Sequence, residues 1–135
     1  MQEVYLVCGV PGSGKSWVCR QLTDKFHYLP HDEHYKNHHT MIRRAAETAT
    51  KPVITEVPFA ERGLRDGLVA SGITVRTVFV IEHPRVVKER YEAREKKPCP
   101  QNHLTRAHSI KDRAKEWGSP AGTSEEILQL LRGLR

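Results

Sequence analysis

Gly9-Val10-Pro11-Gly12-Ser13-Gly14-Lys15-Ser16 is a full match to G-x-x-x-x-G-K-[ST], and the rest of the chain is best read outward from it. Its glycines permit a tight loop whose backbone N–H groups converge on phosphate oxygens without Cβ clashes. A helix opening at Lys15 aims its unpaired N–H groups and positive dipole end at the same anion. In such a loop the lysine reaches the β- and γ-phosphates of a nucleoside triphosphate, and the Ser16 hydroxyl ligates Mg²⁺. Roughly one random chain of this length in two hundred would carry the pattern by chance. The context passes the further test: residues 3–8 (EVYLVC) read as a buried strand before the loop. Val18, Leu22 and Phe26 then mark one face of a helix from Lys15 to about Phe26. Gly9, Gly12, Ser13, Gly14, Lys15, Ser16 and the adjoining Trp17 are the expected nucleotide-binding residues.

Strands and helices alternate outward from this loop. His27–Pro30 reads as a short strand, and 33–50 as a weak helix that buries Met41, Ile42, Ala45, Ala46 and Ala49. Pro52–Val57 reads as a third strand, and Ala60–Ser71 as a helix stopped by Gly72. Ile73–Ile81 is the longest apolar strand, and its lack of alternation fits burial on both faces. Pro84 opens a helix to about Lys96, followed by a Pro-bounded loop over Lys97–Asn102. Leu104, Ala107, Ile110, Ala114 and Trp117 share a face of the next helix. Thr123 and Glu126 have the spacing of a capping box ahead of Ile127, Leu128 and Leu131. This order predicts an α/β fold, a short parallel sheet covered by helices on both faces.

With 135 residues, the chain is expected to form one domain over 1–135. No apolar run approaches the ~20 residues that cross a bilayer, and residues 1–9 carry no basic leader, so no secretory signal and no membrane partner are expected. Cys8, Cys19 and Cys99 are odd in number and form no C-x-x-C pair, which points to a reducing compartment, cytoplasmic or intraviral. Cys8 and Cys19 flank the loop and read as buried structural thiols. The net charge is +6, and residues 85–117 hold ten basic against five acidic side chains. A basic band of this kind suits a phosphate-rich partner, and a solvated helical face gives the same count.

Three further segments carry chemistry. Leu29-Pro30-His31-Asp32-Glu33-His34-Tyr35 places carboxylates just after the second strand. Pro52-Val53-Ile54-Thr55-Glu56-Val57-Pro58-Phe59 is an apolar strand ending in a carboxylate, with Arg62 and Arg65 on the following helix. Phe79 through Arg94 runs from a strand into R-x-x-x-R, where Arg90 and Arg94 share one helix face. With these segments the chain resembles the small P-loop kinases, in particular the polynucleotide-kinase and zeta-toxin-like branch, over residues 1 to about 117. The resemblance implies a three-layer, kinase-type fold with a helical lid at approximately 90–103, and ATP with Mg²⁺ as cofactors. It implies Lys15, Asp32, Arg90 and Arg94 as catalytic residues. Asp32 would act as general base or orienter of the acceptor hydroxyl, with Glu33 its neighbour and rival, and the arginines would neutralise the transferred phosphoryl group. It places Glu56 at the metal–phosphate site, where the usual residue is Asp, so contact with Mg²⁺ through water and direct contact with substrate both stay open. It assigns Arg62 and Arg65 to acceptor phosphates.

No N-K-x-D base-reading motif is present, which argues against a GTPase, and the chain is too short for a motor ATPase. Asp32 and the paired arginines favour a phosphotransferase. The acceptor expected first is a hydroxyl of nucleic acid, either the 5′ end or a hydroxymethylated base of DNA such as viral genomes carry; a nucleoside or nucleoside monophosphate is the alternative. A non-catalytic ATP binder is a further one. Trp17 and Trp117 are large enough for the core, the commoner use, although either can stack on a base. His34, His38 and His39 have helix spacing, yet no cysteine or further carboxylate completes a zinc site in sequence.

Overall fold

Val4 through Gly9 are buried without a break, and this first strand takes hydrogen-bonded neighbours on both edges. A computed structural model describes residues 3–31 and 37–134. The elements are β1 (Glu3–Gly9), α1 (Lys15–Arg20), β2 (His27–Leu29), α2 (His38–Thr48), β3 (Val53–Pro58), α3 (Arg62–Ala70), β4 (Thr74–Val80), α4 (Pro84–Glu95), α5 (Gln101–Glu116), β5 (Ala121–Gly122) and α6 (Ser124–Arg132). The sheet order is β2-β3-β1-β4-β5 and every pairing is parallel. β3 lies directly beside β1, in the register Val7↔Glu56 and Gly9↔Pro58.

Side-chain alternation divides the core into two layers. Val4, Leu6 and Cys8 of β1 pack with Ile42 of α2, Leu64 and Leu68 of α3 and Ile110 and Ala114 of α5. Tyr5 and Val7 point the other way, onto Val18, Cys19 and Leu22 and onto Ile127, Leu128 and Leu131 of α6. The parallel sheet is therefore covered on both faces, as the unbroken apolar runs predicted. No described helix is long and apolar enough to cross a membrane.

The sequence expectations fail at element ends. The first helix stops at Arg20 instead of Phe26, and single turns closed by Leu22 N→Cys19 O and Phe26 N→Leu22 O carry the chain on. Leu22 and Phe26 are buried all the same, so periodicity located the face but not the helix end. Only α2 from His38 onward is described; the start expected at 33 lies outside the described residues. The fifth strand was missed, because Ala121–Gly122 has no β-forming composition and pairs only through bonds such as Ile81 N→Gly122 O, 2.7 Å. α5 begins at Gln101, since its polar first turn leaves no mark in an apolar pattern. The capping box is present as predicted, with the Glu126 side chain accepting from Thr123 N at 3.0 Å and Glu126 N donating to Thr123 Oγ1 at 3.3 Å.

Candidate active site

The turn between β1 and α1 is held by its glycines. Gly14 caps α1 at φ 102, a left-handed conformation that side chains disfavour, and a Cβ there would lie 3.0 Å from the Ser124 Cβ. A Cβ on Gly9 would stand 2.6 Å from the Ser13 Oγ and 3.0 Å from the Val80 carbonyl oxygen. The loop thus fits closely between the end of β4 and the start of α6. Above it opens a cavity of about 920 Å³.

Lys15, Ser16 and Trp17, Glu56, and Arg90 and Arg94 all line this cavity, so α1, β3 and α4 deliver side chains to one place. Gly12 and Gly14 belong to its wall; Gly9 and Ser13 do not. Ser13 is buried beneath the loop, where its N–H donates to the Val10 carbonyl at 3.1 Å. Trp17 is 38% exposed, so its expected use in the core is overturned: the first turn of α1 turns it to the cavity rim. Trp117 does pack on the core, edge-on to Phe79 at 5.6 Å.

Arg90 is anchored from two sides. Its Nη1 donates to the Gly12 carbonyl at 3.2 Å, and its Nη2 stands 3.7 Å from the Glu82 carboxylate at the end of β4. Arg94, one turn on, pairs with Glu95 at 3.8 Å and stays largely exposed. The segment expected as a lid at 90–103 is the tip of a helical hairpin. α4 runs unbroken to Glu95, Lys96 takes the left-handed conformation (φ 58), and Tyr91 meets His103 of α5 edge-on at 5.2 Å. Burial lowers the pKa of His103, and the nearby Arg106, Lys15 and Arg94 add to the effect.

Glu56 is 5% exposed. One of its oxygens, Oε2, accepts a 3.1 Å hydrogen bond from the Tyr28 hydroxyl on β2. Burial, then the Glu56 charge, raises the pKa of that phenol, which keeps it a donor. Asp32 and Glu33 lie outside the described residues. Their neighbour His31 is buried, lines the cavity, and stacks edge-on against His38 at 4.6 Å. The His38 Nε2 meets the Thr55 Oγ1 at 2.9 Å, and that hydroxyl donates to the Leu29 carbonyl at 2.7 Å. Thr55 has one proton and spends it on Leu29, so His38 is the donor of the pair.

Arg62 and Arg65 do not line the cavity. Arg65 lies 4.0 Å over the Trp117 ring, and Arg62 bridges to Glu116 at 2.5 Å. Close by, Arg106 and Arg113 of α5 stand over the Phe59 ring at 5.6 and 5.4 Å. Burial pushes the Cys8 thiol up to about 12 and raises Cys19 further still, which leaves both as inert core groups. Sequence reasoning missed Arg20, Tyr28, His31 and Ser124. The cavity alone unites Arg20, His31 and Ser124, Tyr28 joins them only through its hydrogen bond to Glu56, and no motif spacing marks any of the four.

The arrangement of strands and helices is similar to that of solved structures. The fold is that of the P-loop kinases. A gluconokinase from Sinorhizobium meliloti 1021 matches with a TM-score of 0.64 and 22% identity, over 95% of this chain and 88% of that one. Shikimate kinase from Acinetobacter baumannii matches at 0.62 and 15% identity, over 100% and 96%. A chain of the Pnkp1/Rnl/Hen1 RNA repair complex matches at 0.51 and 17% identity, over 83% of this chain and 46% of that one. No protein-family model and no curated protein matches the sequence.

Proposed function

We propose that this protein transfers the γ-phosphoryl group of ATP to a hydroxyl of a nucleic acid, either the 5′ end or a hydroxymethylated base of DNA. The carrying observation is the convergence of Lys15, Ser16, Glu56, Arg90 and Arg94 on one cavity in a P-loop kinase fold. Phosphoryl transfer asks a protein for position and charge more than for covalent chemistry. Lys15 holds the β- and γ-phosphates. Arg90, fixed against the Gly12 carbonyl, keeps its guanidinium where negative charge builds on the phosphoryl oxygens. Arg94 adds a second cation on the same helix face. Asp32 orients the acceptor hydroxyl and takes its proton. The Ser16 hydroxyl and Glu56 carboxylate are hard oxygen donors on one wall, a set that suits Mg²⁺. Bound there, the ion neutralises charge on the phosphate oxygens.

The nucleic-acid acceptor is supported on the side of β3. Pro58 lines the cavity, and the next residue, Phe59, carries Arg106 and Arg113 of the basic stretch over its ring. A guanidinium laid on a ring keeps in-plane N–H donors for a backbone phosphate, and Arg106 offers them, while Arg113 also pairs with Glu116 at 3.6 Å. The likeness to a chain of an RNA repair complex agrees with this reading. The alternative acceptor, a nucleoside or nucleoside monophosphate, is supported by the likeness to gluconokinase and shikimate kinase, whose names denote small acceptors.

The test offers γ-labelled ATP with mononucleosides, mononucleotides, 5′-hydroxyl oligonucleotides and oligonucleotides bearing hydroxymethyluracil. Label is expected in the oligonucleotides, with an affinity that falls with salt by a log–log slope near −0.7 to −0.9 per phosphate contact. Label confined to mononucleotides hands the assignment to the alternative. Asp32→Asn should leave ATP affinity intact and cut kcat steeply; a mild loss of rate would remove Asp32 from the chemistry.

A further inference from the structure

We infer that Tyr28 is a positioning residue: its hydroxyl ties down one oxygen of Glu56, so that the other alone faces the Mg²⁺–phosphate end of the cavity. The inference rests on the reading that Lys15, Ser16 and Glu56 form that end. Glu56 stands where the resemblance expects the shorter Asp, and its extra methylene adds a rotatable bond. A glutamate free to swing between rotamers would be a poor metal-side group, since ordering a long side chain of this kind on binding gives up rotamer entropy. The structure supplies the restraint. Glu56 sits on the central part of the sheet beside Val7, 5% exposed, with its side chain on the α1 face. From the neighbouring strand, where Tyr28 pairs with Ile54, the phenol donates to Oε2 at 3.1 Å. Among the described residues no side chain bonds Oε1.

This geometry has a chemical consequence. A carboxylate with both oxygens unrestrained can chelate a cation through two atoms; one whose Oε2 is held by a phenol has its plane fixed and keeps Oε1 as the less engaged oxygen. Mg²⁺ demands near-octahedral geometry and keeps several of its waters, so a single fixed oxygen, acting on the ion or on one of its waters, suits it better than a chelating pair. Hydrogen bonds that orient a metal-side carboxylate commonly affect affinity by 10–100-fold. Tyr28 would therefore influence the metal-dependent part of nucleotide binding without touching nucleotide itself.

The test uses the full chain with Tyr28→Phe, Glu56→Gln and the double variant. ATP binding is followed through the fluorescence of Trp17 at the cavity rim, with Mg²⁺ and with EDTA, and melting temperature is recorded without nucleotide. Tyr28→Phe should melt near wild type, bind metal-free ATP normally and lose roughly tenfold of the affinity that Mg²⁺ adds, the scale of one hydrogen bond to a charged group. In the Glu56→Gln background the same substitution should change that affinity less than about twofold, because a residue acting through Glu56 has nothing left to act on. An equal loss in both backgrounds, or an equal loss with and without Mg²⁺, overturns the inference. Loss of the Mg²⁺ effect in Glu56→Gln with none in Tyr28→Phe overturns the tether and leaves the phosphate site standing. An unchanged Mg²⁺ effect in both variants overturns the placing of Glu56 at the metal and the inference with it.

Discussion

Two regions of this molecule gather arginines, and they use them differently. Around the phosphate-binding loop, Arg90 reaches a backbone carbonyl of the loop itself and Arg94 stands exposed beside the same cavity. Between α3 and α5, Arg65 and Arg62 lie on or beside the Trp117 ring, and Glu116 holds both Arg62 and Arg113. The first arrangement aims charge at a concave space. The second spends much of it on joining two helices across aromatic faces. Counting basic residues along the chain cannot separate these uses, because what a guanidinium rests against decides whether it serves a ligand or the fold.

The contrast is broken or sharpened by substitution. Lys15→Ala should show the largest effect, a loss of phosphoryl transfer by several orders of magnitude with the nucleotide-free melting temperature near wild type. Near-normal transfer would remove the loop from catalysis. Arg90→Gln should follow, lowering kcat by roughly 10–100-fold and ATP affinity by less, since charge grows on the phosphoryl group only during transfer. Equal, small losses in both would make Arg90 another helix-surface cation. Arg65→Gln should reverse the pattern: stability falls by about 1 kcal/mol as the Trp117 contact goes, and turnover of ATP without acceptor is unchanged. A drop in kcat with an unmoved melting temperature would move Arg65 to the catalytic side of the comparison.

The smallest effect concerns the α4–α5 hairpin. His103 has a lowered pKa in the fold, so the unfolded chain takes up this proton first as pH falls. The stabilising contribution is complete above about pH 6.5 and is lost as pH drops through the folded value. His103→Phe, which keeps a ring against Tyr91, should flatten part of the fall in melting temperature between about pH 7 and 5; identical profiles for the two chains would assign that fall elsewhere.

Much of the fold was legible because its signals are local. The eight residues from Gly9 to Ser16 declare a loop that works chiefly through backbone, and backbone needs no partner from far along the chain. Gly72, at φ 85, and Thr123 with Glu126 are likewise written into single turns. The site was legible only in part. Arg90 and Arg94 reach the cavity because their spacing matches one helix face, whereas Tyr28 matters through Glu56 on β3 and His31 through His38 on α2. Trp17 was expected both beside the loop and, from its size, in the core; the direction of the first turn of α1 gives it the first place and not the second. Arg62 and Arg65 occupy the expected helix, yet Trp117, some fifty residues on, draws them to itself.

The central position of β1 has a consequence for how the chain is made. Its partners run from Val53 to Pro58 and from Thr74 to Phe79, so β1 has no strand to pair with until some fifty further residues exist, and its second edge stays open until Phe79. Parallel pairing over such separations requires loops to close before any ladder bond rewards them, which slows folding relative to a helical protein of this size. Through that interval Val4-Tyr5-Leu6-Val7-Cys8 is a short, uncharged, β-forming segment exposed to other nascent chains. Expression at lower temperature, or with a chaperone that shields exposed apolar segments, should therefore raise soluble yield more than any stabilising change at the surface.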